Sequence, residues 1–289
     1  MIAAVVVTYN PNPEKLNELV NSVTGQVEKV YLVNNGTEID IPYLDSSTPI
    51  EVINLNDNLG IGYAQNIGVE SSSKDGFNYT LLLDQDSVLK SDSIKFLMLG
   101  FSDENVAAVG PTVIDSRSSK KFEYYDYLSL KRKYSLQKDE YSQGFYETDM
   151  LISSGTIVSN DIFNKNKNID ELFIEFVDVE WCLRVRSLGY KLLFSKDVTM
   201  DHELGDSRES IFGIEFPLHK PDRYYYVVRN SLYCSIKNDF SLYFRLYNLQ
   251  RTAVLLMFVM IKSKGRRLRI LKCAFQGVKD CFKILGNSQ

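Results

Sequence analysis

The chain contains no apolar stretch long enough to cross a bilayer. Its longest strictly apolar run, Ala253 to Ile261, covers nine residues, far short of the ~20 that a spanning helix needs. Cysteine is scarce as well: Cys182, Cys234, Cys273 and Cys281 are the only four, and no two form a C-x-x-C pair. That spacing speaks against a zinc site or a disulfide framework and fits a reducing cytosol. There are two histidines, His202 and His219, so a histidine-rich metal centre is excluded. The N-terminus, MIAAVVVTYN, is apolar without a basic flank or cleavage site, and reads as a first strand instead of a signal peptide. Neither an internal repeat nor a low-complexity segment beyond short serine clusters is present.

What the chain does have is a composition fit for packing, with 44% hydrophobic and 24% charged residues in 289. That length allows one large α/β domain with an appendage, or two modest domains. Charge is unevenly placed. From Lys262 to Lys283 there are eight Lys/Arg and one acid, so the formal −4 of the whole chain combines a basic tail with an acidic body.

The first 110 residues alternate as a parallel sheet requires. Strands are expected at Ile2–Val7, Val30–Val33, Ile50–Leu55, Tyr79–Leu83 and Ala107–Val109, with helices at Glu14–Val23, Ile61–Ser71 and Ser91–Gly100. Five strands with helices between them imply a doubly wound α/β sheet. After Pro111 the rhythm breaks into a polar, tyrosine-rich stretch, Ser116–Tyr146. It resumes with a strand-like run at Asp149–Ser159, a helix at Val177–Leu188 with Leu183, Val185 and Leu188 inward, and a short strand at Tyr190–Phe194. From about Pro221 the pattern is helical and aromatic.

Ligands of open α/β sheets bind beyond the carboxyl ends of the strands. Four polar signatures stand at such ends: Thr8-Tyr9-Asn10, Asn34-Asn35-Gly36, Asn56-Asp57-Asn58 and Asp84-Gln85-Asp86. A lone D-x-D also suits a strand followed by a polar turn, but four such ends in succession read as one site. The loop Asn58-Leu59-Gly60-Ile61-Gly62 opens a helix, and its glycines permit close approach of a ligand to the backbone. It is not a dinucleotide fingerprint, because no glycine stands three residues after Gly62 and the loop follows the third strand. Asp86 offers a hard oxygen ligand for Mg²⁺ or Mn²⁺, and His202 lies just past a strand that can return to the same edge. Asp178, Glu180 and Trp181 open a helix. Acids in a first turn are commonly dipole partners; the functional reading makes one of them a general base.

In this order and spacing the motifs resemble the inverting glycosyltransferases of family two, with the GT-A fold, and their rhamnosyltransferase-like branch in particular. Phe176-Val177-Asp178-Val179-Glu180-Trp181 and Asp84-Gln85-Asp86-Ser87 point to that branch, and the resemblance spans roughly residues 1 to 205. It implies that Tyr9 stacks on a nucleotide base and Asn34 bonds its edge, with Thr8, Asn58 and Gly60 lining the donor. Asp84 then approaches the ribose, Asp86 and His202 hold Mn²⁺ or Mg²⁺, and Asp178 is the general base. The donor implied is dTDP-L-rhamnose, with a UDP-hexose as the alternative, and the acceptor a cell-surface polysaccharide or lipid-linked glycan. Many members of that family carry Asp where this chain has Asn34, which removes charge assistance from the bond to the base.

On this reading residues 1–217 form the catalytic domain, with 1–110 as nucleotide-sugar half and 111–217 as acceptor half, and 218–289 a helical, basic amphipathic extension. Glu180, Trp181, Arg223 and Arg229 are expected to border the acceptor. Ser241 to Leu285 reads as two helices broken near Lys264-Gly265, the second suited either to an anionic lipid surface or to packing on the catalytic domain with a solvated basic face. The expected place is the cytoplasm, peripheral on the inner face of a bacterial plasma membrane, with no nucleic-acid partner. Two rivals are a phosphatase of the haloacid-dehalogenase type, whose D-x-D usually ends the first strand of its core, and a non-catalytic nucleotide-binding scaffold.

Overall fold

The computed structural model describes residues 1–37, 47–115, 121, 144–202, 208–211, 214–237, 239–263 and 265–287. Most of the expected polar stretch Ser116–Tyr146 lies outside them. β1 (Ile2–Thr8) is buried along its whole length, as a Val-rich strand covered on both faces must be. It pairs in parallel with β2 (Lys29–Asn34) and with β4 (Tyr79–Asp84), and β2 pairs in parallel with β3 (Ile50–Asn54). The crossover helices are α1 (Pro13–Val23) and α2 (Ile61–Lys74). The start of α1 is set by Asn12, whose side-chain oxygen accepts from the N–H groups of Glu14 and Lys15, with Pro13 as first helical residue.

Beyond β4 the sheet ceases to be parallel. β5 (Val88–Leu89), α3 (Ser93–Met98) and β6 (Val106–Asp115) follow in the chain, but β6 does not join β4. The strand between them is β8 (Thr156–Ser159), antiparallel to both. The expected strand-like run at Asp149–Ser159 is shorter than read: β7 (Phe145–Thr148) precedes it and only its end forms β8. α4 (Asn160–Lys165) and α5 (Val177–Ser187) then lead to β9 (Lys191–His202). The order of the main path is β3-β2-β1-β4-β8-β6-β9-β5, with β7 paired to β9.

β9 is much longer than the expected Tyr190–Phe194. Its apolar half ends at Phe194, but the ladder with β6 resumes after an irregularity, from Gly110 opposite Phe194 to Thr112 opposite Thr199. The Ser195 hydroxyl accepts from the N–H groups of Asp197 and Val198 there, and the Thr112 hydroxyl donates to Ser195 O. The continuation brings His202 opposite Asp115 and Asp201 opposite Val88. In α5, Leu183 and Val185 face inward as expected, whereas Leu188 lies past the helix end and is 59% exposed.

By contacts the chain divides into two units, and the second takes Ile174–Phe176 together with Leu204–Gln289. It contains the hairpin β10 (Arg208–Ile211) and β11 (Ile214–Pro217), then α6 (Arg223–Ile236), α7 (Leu242–Lys262) and α8 (Arg267–Asn287). Tyr224, Val259 and Ile270 form its buried centre. Among the described residues no helix is long and apolar enough to cross a membrane.

Candidate active site

Strand register gathers the polar ends. Thr8 lies opposite Asn34, Asn34 opposite Asn54, and Val7 opposite Asp84, so the carboxyl ends of β1 to β4 form one edge. Asn34 is fully buried there. Its Nδ2 donates to Thr37 O at 2.7 Å and to Asn54 Oδ1 at 2.9 Å, and its Oδ1 accepts from Gly36 N at 3.1 Å. One lone pair of that oxygen thus serves its own turn, and an amide oxygen has a second. Asn35 ties the next loop: its Oδ1 accepts from Leu59 N and its Nδ2 donates to Asn58 Oδ1, which also accepts from Gly60 N. Tyr9 keeps its ring 50% exposed above Gly36, an aromatic face suited to stacking. Its N–H is held by Gln85 Oε1 at 2.8 Å.

The D-Q-D turn is built on serines. Asp84 N donates to Ser154 Oγ at 3.1 Å, the Ser154 and Ser87 hydroxyls lie 2.5 Å apart, and Ser87 Oγ is 3.2 Å from His202 Nδ1. The two carboxylates approach opposite ring nitrogens: Asp84 Oδ2 is 3.9 Å from Nε2, and Asp86 Oδ1 is 3.7 Å from Nδ1. Burial raises the Asp84 carboxyl above the usual carboxylate range, with His202 opposing the shift and Asp86 adding to it. A hard oxygen and an imidazole nitrogen at the Asp86–His202 spacing suit one divalent cation with bonds of about 2.1 Å. Among the described residues no group of three or more His, Cys, Asp or Glu is arranged to hold a metal by itself. The rest of a cation's shell here would come from water and a ligand's phosphates.

The glycine loop has a second reason for its composition. At Gly60, with φ +93°, a Cβ would come within 2.6 Å of both Cα and O of Phe173, and Ile61 N donates to that same carbonyl at 2.8 Å. At Gly62 a Cβ would press on Val177 and Asn168. Asn66 adds bonds from its Nδ2 to Asn168 O and Asp170 Oδ1. The loop expected to approach a ligand therefore also seats the segment that leads into α5. Asp178, second residue of α5, is half-buried; its Oδ1 accepts from Val179 N at 2.9 Å and it lines a narrow cavity of about 20 Å³ beside Gln65 and Asn168.

Glu180 and Trp181, expected at the acceptor side, turn into the packing of α5. Glu180 is fully buried and takes the Arg184 guanidinium through Nε and Nη2. Trp181 Nε1 donates to Asn166 O at 2.7 Å, and its ring lies 5.5 Å from that of Phe163. Arg223 and Arg229 belong to the second unit, where Arg223 pairs with Glu175 and Arg229 lies over the rings of Tyr225 and Tyr226. Sequence reasoning missed Gln85, Asn35 and Ser154. Asn35 sits inside a motif already read; Ser154 meets Asp84 through its hydroxyl, 70 residues on in the chain, just past the end of the β4–β8 ladder.

A model described as glycosyl transferase family 2 matches residues 3–166. The dTDP-rhamnosyl transferase RfbF of Shigella flexneri is 36% identical over 241 residues, which is 82% of this chain and 80% of that protein. Among solved structures, residues 1–349 of S. aureus TarS align with a TM-score of 0.58 at 14% identity, over 97% of this chain and 80% of that one. GalNAc-T7, crystallised with UDP, GalNAc and Mn²⁺, aligns with a TM-score of 0.57 at 14% identity, over 92% of this chain and 56% of its own. At that identity the two structures carry the fold alone. It is the GT-A architecture: a mixed α/β sheet with helices.

Proposed function

Because this chain belongs to glycosyl transferase family 2, we propose that it is an inverting transferase moving L-rhamnose from dTDP-L-rhamnose to a hydroxyl of a cell-surface glycan or lipid-linked acceptor. The observation that carries the donor is the 36% identity to a dTDP-rhamnosyl transferase over four-fifths of both chains. Asp178 takes the proton of the acceptor hydroxyl; the oxygen bonds to the anomeric carbon from the face opposite the nucleotide, and the bond from that carbon to the diphosphate oxygen breaks. A single carboxylate base without a protein nucleophile gives inversion. Tyr9 offers its ring to the base, while Asn34 and Asn35 fix the loops around it. Asp86 and His202 would hold a divalent cation, Mn²⁺ or Mg²⁺, which when bound stabilises charge on the departing diphosphate.

The test is a panel of nucleotide sugars measured by hydrolysis and thermal shift, with each metal and with EDTA. A dTDP-L-rhamnose preference that disappears in chelator supports the reading. A clear UDP-hexose preference overturns the donor, and full activity in EDTA overturns the metal.

We also propose peripheral binding to an anionic membrane through the C-terminal helices. On α8, Leu268, Leu271, Phe275, Val278 and Phe282 are exposed at helical spacing while Ile270, Ala274 and Cys281 are buried. Lys272, Lys279 and Lys283 flank that exposed stripe. A second copy would bring basic flank against basic flank, whereas anionic headgroups complement them. Salt-sensitive binding to phosphatidylserine vesicles, lost on truncation after Lys262, is the expected result. Indifference to such vesicles at low salt refutes it.

A further inference from the structure

Backbone strain concentrates just ahead of α5. Of the six non-glycine residues with positive φ among those described, Phe173, Glu175 and Phe176 fall within four positions, at 61°, 64° and 64°. The other three are Asn or Asp, which tolerate the left-handed region; bulky residues do not, and persist there only where their surroundings over-determine them.

The determinants are visible. Phe173 is held through its carbonyl by Ile61 N. Within the second unit, Asn230 of α6 donates its Nδ2 to Ile174 O at 2.7 Å and to Glu175 O at 2.8 Å. Asn230 is fully buried, and Arg229 Nε donates to its Oδ1 at 2.8 Å. That bond fixes the amide's orientation, since only the NH₂ end can then face the two carbonyls. The Glu175 carboxylate in turn takes Arg223 Nε at 2.5 Å. Both arginines once expected at the acceptor thus serve this segment, and the chain passes from it through Val177 directly to Asp178.

We propose that Asn230, oriented by Arg229 and backed by the Arg223–Glu175 pair, is a positioning residue: it locks the strained turn 173–176 and thereby sets where α5 begins and where Asp178 stands. The proposal rests on Asp178 being the base. Asn230→Ala removes both bonds and lets the turn relax, and displacement of a reacting group by about an ångström can cost on the order of a hundredfold in rate. We expect kcat for transfer to fall by roughly ten- to a hundredfold with the donor KM nearly unchanged.

The decisive measurement is a double-mutant cycle with Asp178→Asn on full-length protein. If Asn230 acts through Asp178, Asn230→Ala changes nothing further in the Asp178→Asn background. An equal further loss in that background, or a rise in donor KM instead of a fall in kcat, overturns the proposal. Should Asp178→Asn itself keep normal turnover, the base assignment has failed; should it be inactive while Asn230→Ala is not impaired, only the present inference has. If Asn230→Ala does not fold, Arg223→Ala carries the same expectation at smaller size, restored by Arg223→Lys. Unchanged kcat in Arg223→Ala then overturns the proposal.

Discussion

Substituting Gly60 by alanine separates the two reasons a glycine can stand in that loop. A glycine needed only for a ligand's approach costs affinity when replaced and leaves the fold alone. Gly60 has φ +93° and ψ 157°, a region essentially closed to other residues, and occupying it costs an L side chain of order 1–3 kcal/mol. The new methyl would also stand 2.6 Å from two backbone atoms of Phe173, and no rotamer change can relieve that overlap. Overpacking of this kind adds roughly 1–3 kcal/mol. The expected loss is therefore about 2–6 kcal/mol, a large share of the roughly 5–15 kcal/mol that holds a domain together. Gly25 supplies the control: its φ is +76°, but nothing lies within 4 Å of its Cβ position, so Gly25→Ala meets strain without overlap. Urea unfolding followed by the emission of Trp181, the only tryptophan, reads the comparison from within α5 itself. If Gly60→Ala loses no more stability than Gly25→Ala, the packing argument is wrong and the loop's glycines answer to the ligand alone.

Three further outcomes are expected. Asp178→Asn should cut transfer to a small residual rate, read at high enzyme concentration, while leaving donor affinity, read by thermal shift, nearly intact; near-normal turnover would refute its role. Cys182, Cys234 and Cys281 are buried, and burial pushes the Cys281 thiol up to about 11, so native protein at pH 8 should show one accessible thiol, Cys273, and four only in denaturant. Four fast equivalents in the native state would contradict the packing. Lys167 and then Lys74 hold the Glu70 carboxyl down to about 2; a lowered folded pKa stabilises above the ordinary range near 4.5 and is lost as pH falls toward 2. Glu70→Gln should thus cost less than about 1 kcal/mol at neutral pH, the pair being exposed, and the gap should narrow between pH 5 and pH 3.

Local signals carried the first half of the molecule. β1, β2 and β4 are buried parallel strands whose composition alone announces them, β3 continues the parallel order as a half-exposed strand, and their polar ends mark the edge where Tyr9, Asp84 and Asp86 stand. The second half depends on partners distant in sequence. Nothing in Thr156–Ser159 says that it lies antiparallel between β4 and β6, because a short apolar run pairs equally well in either direction. The long β9 was hidden by Ser195-Lys196-Asp197, which interrupt the apolar pattern without ending the strand. An acid in a first turn is normally solvated, which makes Glu180 read as site chemistry; its burial on Arg184, four residues on, is legible only as an i,i+4 pair. Arg229 could not be read at all from sequence, since its partner Asn230 takes meaning only from the carbonyls of Ile174 and Glu175.

The irregularity between β6 and β9 changes how relatives of this chain should be compared. From Gly110 to Thr112 the chain advances two positions, while β9 advances five, from Phe194 to Thr199. That surplus uncouples the two stretches of the β6 ladder: a residue gained or lost between Lys196 and Val198 leaves both of them in register, while Ser195 itself is tied to Phe145 of β7 and to Thr112. The same change made beyond Thr199 would turn His202 to the opposite face, because strand side chains alternate. A change in length thus leaves His202 on its face when it falls before Thr199 and moves it to the other face when it falls beyond. Where a relative differs in length there, a comparison that admits no gap between Ser195 and Thr199 sets the wrong residue against His202.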